Sequence, residues 1–237
     1  MQIANAGPLC HILIMAIQAR NSPREHMLQS QILTGHVLDP RILGALMHVA
    51  REQFVPESLA GAAYVDAEVP LADGRFLMEP LVFARILEYA AIEAHETVLD
   101  VGCGMGYSAA VLSDLARKVV AVEEGSLSAQ AKTLLASYPN IEFLQGPLAE
   151  GMSQSAPYDV IVIEGAIEIL PPPLADQLCE GGRLLAVEHN AGAKVAAVGL
   201  GRLVEYKKLR GGLYKRVLCD ANAALLPQFR KPQVFSI

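Results

Sequence analysis

Val98-Leu99-Asp100-Val101-Gly102-Cys103-Gly104-Met105-Gly106-Tyr107-Ser108-Ala109-Ala110 reads as a buried strand, a glycine turn and the start of a helix. Val98, Leu99 and Val101 form the short apolar run of a parallel strand covered on both faces. Gly102, Gly104 and Gly106 let the backbone turn sharply and approach a ligand with no Cβ in the way. Ala109, Val111, Leu112 and Leu115 recur at helical spacing and would pack that helix back onto the sheet. Lys118 to Val122 is the next strand, and Glu123 stands at its carboxyl end, where open α/β sheets bind ligands.

The turn departs from the dinucleotide fingerprint, which needs glycine where Tyr107 stands, and it lacks the Gly-Lys-Ser/Thr of a phosphate-binding P-loop. What remains is Asp-x-Gly-x-Gly-x-Gly with an acid at the end of the following strand. Asp100 favours a cation, and Glu123 can accept charge-assisted hydrogen bonds from both hydroxyls of a ribose. S-adenosylmethionine has a sulfonium, an ammonium, a free ribose and no phosphate, so it fits these residues; another nucleotide on a generic Rossmann-like turn stays open. Asp100, Gly102, Cys103, Gly104, Gly106 and Glu123 are therefore candidate cofactor-binding residues, with Cys103 read as a small residue beneath the cofactor rather than a reactive thiol.

At 237 residues and 52% hydrophobic, the chain has ample core for one domain with an appended segment. A formal charge of −6 argues against non-specific binding to nucleic acid or to an anionic membrane. The four cysteines, Cys10, Cys103, Cys179 and Cys219, show no metal-ligand spacing, and reduced thiols in the cytoplasm are expected. The six histidines include no His-x-x-x-His pair, so no metal is expected, and His189 is read as a surface histidine.

Leu9 to Ile17 is far shorter than the roughly twenty apolar residues that span a bilayer. Residues 1–26 read either as an extra amphipathic helix or as a disordered or non-native extension, and residues 1–60 as a helical N-terminal extension to a domain at 61–237. Asp39-Pro40 looks like an N-cap followed by proline at the first helical position, in a helix that Phe54-Val55-Pro56 ends. Tyr64 to Leu71 reads as extended, Ala72-Asp73-Gly74 as a turn, and Pro80 as the start of another helix; loop and helix start could close over a bound cofactor.

Beyond Glu123, a helix from Leu127 to Ala136, strands at Ile141–Gln145 and Tyr158–Ile163, and a helix from Pro171 through Leu178, closed by Gly181-Gly182, precede a strand at Arg183–Val187. This alternation implies a mostly parallel, Rossmann-like α/β sheet with right-handed crossovers. Strands at Val195–Leu200, Leu203–Leu209 and Leu213–Cys219, with Gly211-Gly212 as a hairpin turn, would add an antiparallel C-terminal edge.

The order of these pieces resembles the protein-L-isoaspartate O-methyltransferase family, class I S-adenosylmethionine-dependent methyltransferases. The resemblance runs from about Met27 to Val187. Its carriers are Arg51-Glu52-Gln53-Phe54-Val55-Pro56, Ala63-Tyr64-Val65-Asp66, the glycine turn, Ala156-Pro157-Tyr158-Asp159 and Gln177-Leu178-Cys179-Glu180-Gly181-Gly182-Arg183-Leu184. It implies methyl transfer to the carboxylate of isoaspartyl residues in damaged proteins, a protein-repair role, with Tyr64, Asp66, Met78 and Glu79 bordering the acceptor.

The chain departs from the family pattern where Phe76-Leu77-Met78-Glu79-Pro80 matches Thr-Ile-Ser-x-Pro, so that Met78, a weak acceptor and no donor, replaces a serine. Gly146-Pro147-Leu148 stands where the family commonly has Gly-Asp-Gly, which leaves the backbone and apolar packing at Pro147 and Leu148 to hold the base. Glu164 replaces a small or neutral residue. An inward carboxylate there would repel a carboxylate acceptor, while it would suit a sulfonium or could act as the base for a neutral hydroxyl or amine. Glu164 is thus the candidate catalytic residue. The alternatives are a methyltransferase for a hydroxyl or amine and a non-catalytic S-adenosylmethionine-binding relative.

Overall fold

The run at Val98–Val101 becomes the middle of the sheet. The computed structural model describes residues 22–189 and 201–232, so the expected strand at 195–200 and the stretch up to residue 21 lie outside the described residues.

The described chain opens with helix α1 (Pro23–Met27), whose Ser22 and Glu25 form a reciprocal capping box, and continues as a π-helical turn at Leu28–Ile32. Helix α2 (Pro40–His48) starts as expected, with the Asp39 carboxylate accepting from the Arg41 amide at 2.8 Å. It does not run on to Phe54. Val49 turns extended, and Arg51–Phe54 forms a separate 3-10 turn. The reason is Arg51, which is 1% exposed. Its guanidinium donates to the carbonyls of Ala63 at 2.6 Å and Met78 at 2.5 Å and lies 4.8 Å from the Tyr107 ring centroid, an inward direction that a continued helix would not supply.

Of the stretch expected to be extended, only Val69–Pro70 pairs, antiparallel with Phe76–Leu77 across the predicted turn. Helix α3 (Pro80–Ala90) follows and ends in left-handed Ala91. Then come β1 (Thr97–Val101), α4 (Tyr107–Ser113), β2 (Lys118–Glu123), α5 (Leu127–Leu135), β3 (Ile141–Gln145), β4 (Tyr158–Ile167), α6 (Pro172–Asp176), β5 (Leu178–His189), β6 (Gly201–Leu209) and β7 (Gly212–Asp220).

The strands form one seven-stranded sheet in the order β3-β2-β1-β4-β5-β6-β7. Pairs from β3 to β5 are parallel, while β6 pairs antiparallel with both β5 and β7. From β1 the chain winds outward to β3 and then crosses back to β4, so the strand order reverses between β1 and β4. The crevice at their carboxyl ends is where such sheets bind ligands.

Val98, Val119 and Val160 point into the core under α3 and α4, and Leu99, Val101 and Ile161 into the core of the other face. Two boundaries differ from the sequence reading. Helix α6 stops at Asp176 because the Gln177 side chain donates to Glu150 and Pro173 carbonyls and accepts from Met152 N, which pulls the chain into β5 early. Strand β4 continues past Ile163 after a register shift at Gly165, because Ala166 exchanges backbone hydrogen bonds with Ala224 and Leu226. Among the described residues no helix is long and apolar enough to cross a membrane.

Candidate active site

Gly102, Gly104 and Gly106 all adopt positive φ, at 81°, 60° and 104°. Side chains there would be strained, and at Gly102 a Cβ would lie 2.6 Å from Arg75 Nη2. The turn therefore brings bare backbone against the switch point, as the sequence predicted.

Asp100, next to last in β1, and Glu123, last in β2, lie on either side of it, each fully buried. Ser108, in the first turn of α4, donates to Asp100 Oδ2 at 2.6 Å. Glu123 Oε2 accepts from Gly104 N at 2.5 Å, and Oε1 accepts from Glu124 N at 3.0 Å. Burial pushes the Asp100 carboxyl up to about 7, with the Ser108 bond and Arg75 opposing and Glu123 adding to the rise. Burial also raises Glu123, against the pull of Arg75 and of its backbone donors. Cys103, within the turn, is buried, and that burial raises its thiol well above the usual range.

Arg75 was missed by the sequence reading. It is 4% exposed and lies on the glycine turn, donating to Gly102 O at 2.6 Å and to Glu123 Oε1 at 3.2 Å. Its loop is held down by Asp73, which accepts from Ser126 N at 2.8 Å, and by Leu71 over Gly104. That loop lies on the glycine turn, with a guanidinium on the acid expected to hold a ribose.

The acceptor candidates divide. Met78 and Glu164 line one pocket together with Glu68 and Arg75, and the strap of Ala224–Leu226 walls it. Glu79 is half-buried with its carboxyl raised by burial and by nearby Asp66, which is exposed. Tyr64 is elsewhere: its hydroxyl bonds to Glu52 and accepts from Arg24 Nε at 3.0 Å in the N-terminal helical layer. Leu148 is buried in the second core and its amide bonds to Glu124, while Pro147 is exposed.

Glu164 points inward. It is 8% exposed, and burial raises its carboxyl well above the ordinary range, reinforced by Asp100 and opposed by Arg75 and Arg51. Four buried polar atoms around the site have no hydrogen-bond partner among the described residues: Asp100 Oδ1, Glu164 Oε1, Arg75 Nε and Arg51 Nη1. Orphaned acceptors beside orphaned donors suit a ligand that carries both positive and negative groups. Glu68 left no signal of its own in the sequence, and Arg51 only its place at the head of one stretch that carries the resemblance.

The family model for protein-L-isoaspartate(D-aspartate) O-methyltransferase matches residues 21–198. A protein-L-isoaspartate O-methyltransferase of Methanoculleus marisnigri is 39% identical over 166 residues, 69% of this chain and 76% of that protein. One from a Synechococcus species is 40% identical over 167 residues, 69% and 68% of the two chains. Among solved structures, a protein-L-isoaspartate O-methyltransferase superposes with a TM-score of 0.71 at 23% identity, covering 86% of this chain and 65% of its own length. A Plasmodium falciparum beta-aspartate methyltransferase in complex with S-adenosyl-L-homocysteine gives 0.72 at 17% identity, covering 88% of this chain and 100% of its own. At these identities the structures speak to the fold alone.

Proposed function

Because the chain belongs to the protein-L-isoaspartate(D-aspartate) O-methyltransferase family, we propose that it methylates the carboxylate of isoaspartyl residues in damaged proteins with S-adenosylmethionine as donor. The observation that carries the donor is the buried pair of acids on the glycine turn, Asp100 and Glu123, at the switch point of the sheet.

When bound, S-adenosylmethionine supplies an electrophilic methyl group on a sulfonium. Glu123 would hold the ribose hydroxyls, Gly102 to Gly106 would let the backbone approach, and the free oxygen of Asp100 would face positive charge. Leu148 would pack toward the base, with Pro147 beside it. The acceptor carboxylate is ionised at neutral pH and needs no general base, so the work left to the protein is positioning and exclusion of water. Met78 and Glu164 line one cavity and are 3% and 8% exposed, which keeps water from their side chains. Burial raises the Glu164 carboxyl well above its ordinary range. In this reading residues 61–237 are the methyltransferase unit and residues 1–60 a helical extension, whose Phe54 meets Tyr107 at 5.9 Å. A cytoplasmic setting fits it, and Cys103, Cys179 and Cys219 are free.

Labelled methyl transferred from S-adenosylmethionine to an isoaspartyl peptide, and not to the matching aspartyl peptide, is the expected result, with the label lost in base. Equal labelling of both peptides, or of neither, would overturn the proposal. The position of Arg75 adds a second expectation. A ribose that reaches Glu123 competes with the guanidinium for Oε1, so Arg75→Ala should bind S-adenosylmethionine about tenfold more tightly, the worth of about one charged hydrogen bond. Unchanged or weaker binding by calorimetry would mean that Arg75 and the cofactor share the site.

A further inference from the structure

The strands at the switch point set out a donor site in order. Asp100 on β1 faces the charged end of the ligand, Glu123 at the end of β2 takes the ribose, and the next strand outward is β3. A base carried by that ribose therefore lies toward the chain that leaves β3 at Gly146-Pro147-Leu148. Adenine presents a 6-amino donor beside its N1 acceptor, and an amine enclosed without an acceptor forfeits its bonds to water. Pro147 offers neither an N–H nor a side-chain acceptor.

A carboxylate stands next to it instead. Glu124, one residue beyond the ribose acid, is half-buried, and its Oε2 accepts from the Leu148 amide at 3.3 Å. Its Oε1 accepts from the Gln228 side chain of the C-terminal strap, and its own amide is fixed by Glu123 Oε1 at 3.0 Å. Each carboxylate oxygen has two lone pairs, so Oε2 keeps capacity for another donor. The chain thus sets an acceptor, Glu124 Oε2, beside a donor, Leu148 N–H, complementary in kind to the 6-amino group and N1 of adenine.

We propose that Glu124 selects the base: its carboxylate accepts from the 6-amino group of adenine, and Gln228 holds that carboxylate in position from the strap. A charge-assisted bond of this kind is stronger than a neutral one. A 6-oxo purine is then rejected twice, because its O6 meets the carboxylate oxygen and its N1–H meets the Leu148 N–H. Neither Glu124 nor Gln228 belongs to the stretches that carry the family resemblance. The two meet across 104 positions of the chain, so the base site is completed by the strap.

The inference rests on S-adenosylmethionine as the donor, and binding to two probes separates it from that reading. S-adenosylhomocysteine and S-inosylhomocysteine differ at the purine 6-position and its N1 hydrogen, and calorimetry on the full-length protein gives their affinity ratio. The wild type should prefer the adenosyl ligand about a hundredfold, the worth of two mismatched hydrogen bonds. Glu124→Gln, equal in size and able to turn either an oxygen or an NH2 to the base, should bring the ratio to about tenfold, the share left to Leu148. Glu124→Ala should weaken the adenosyl ligand about tenfold and leave the inosyl ligand no weaker. Gln228→Ala should lower the ratio part of the way. Burial and, to a lesser degree, Glu124 raise the Glu123 carboxyl, but Glu123 serves the ribose of both probes, so that effect cancels in the ratio.

Equal affinity of the wild type for the two probes overturns the proposal, as does an unchanged ratio in Glu124→Gln. A ratio unchanged in Gln228→Ala alone overturns the part given to the strap. If the alanine variant fails to fold, the glutamine variant decides. A wild type that binds neither probe overturns the donor reading and the base selection with it, whereas tight binding without discrimination overturns the selection only.

Discussion

Glu123→Ala is expected to lower folding stability by about 3–5 kcal/mol and to weaken S-adenosylmethionine binding about a hundredfold. The carboxylate is fully buried and meets Gly104 N, Glu124 N and Arg75 Nη1. Its removal leaves the Arg75 guanidinium, 4% exposed, with only the Gly102 carbonyl, and breaking a buried ion pair from one side costs far more than the pair is worth. It also leaves the Gly104 amide without its partner inside the turn, which loosens the backbone that must approach the cofactor. Urea unfolding and calorimetric titration read the two effects. Adding Arg75→Ala to Glu123→Ala should recover part of the lost stability, because the stranded charge goes with it, but none of the cofactor affinity. A single variant within about 1 kcal/mol of the wild type would show that this pair behaves as an exposed one.

The strand, turn and helix from Val98 to Ala110 were legible because their signals are local. An apolar run has one way to be buried on both faces, and glycine is the residue that takes positive φ without strain. Helix starts at Pro40 and Pro80 were legible for the same reason. The ends were less so. Where α2 stops is decided by Arg51 reaching carbonyls at Ala63 and Met78, and where α6 stops by Gln177 reaching Glu150, contacts that no window of sequence contains.

The site shows the same division. Asp100 and Glu123 could be named from their places at strand ends. Arg75 could not, because a cation beside a glycine in a turn reads as solvated until the loop is seen folded onto Glu123. Whether Glu164 faced in or out was equally hidden, since a strand-end residue can face either way; the register shift at Gly165 and the strap at Ala224–Leu226 fix it inward. Tyr64, grouped with the acceptor by resemblance, is drawn toward Arg24 and Glu52 by partners more than ten residues away in the chain.

Stability of the ligand-free protein is expected to fall as pH rises from about 4 to about 7, and Asp100 is the main reason. In the unfolded chain its carboxyl ionises near pH 3.9. In the folded chain burial holds the proton until about 7. Between those values the native state binds a proton that the unfolded state has released, so each unit of pH costs about 1.4 kcal/mol of stability for this one group. Glu164 and Glu123, raised by burial, tilt the curve the same way. Asp39, lowered by its bond to Arg41, and Glu96, raised by burial but lowered further by Arg183 and the Glu93 amide together, act oppositely. Their stabilisation is present above pH 4 and is lost as pH falls below it. A maximum on the acidic side of neutrality follows. Urea unfolding from pH 4.5 to 7.5 measures it, with Asp100→Asn as the control that keeps an acceptor for Ser108 and cannot ionise. The asparagine variant should lose most of the decline and be the more stable protein at pH 7.5; a parallel decline in both would remove Asp100 as its cause. The cofactor reverses the balance, because a cation beside Asp100 favours the ionised form that the empty site disfavours. Binding near pH 6 should therefore release a proton, seen as a dependence of the calorimetric heat on the buffer's own ionisation, and the stability lost to the buried acid on the turn becomes affinity for a positively charged ligand.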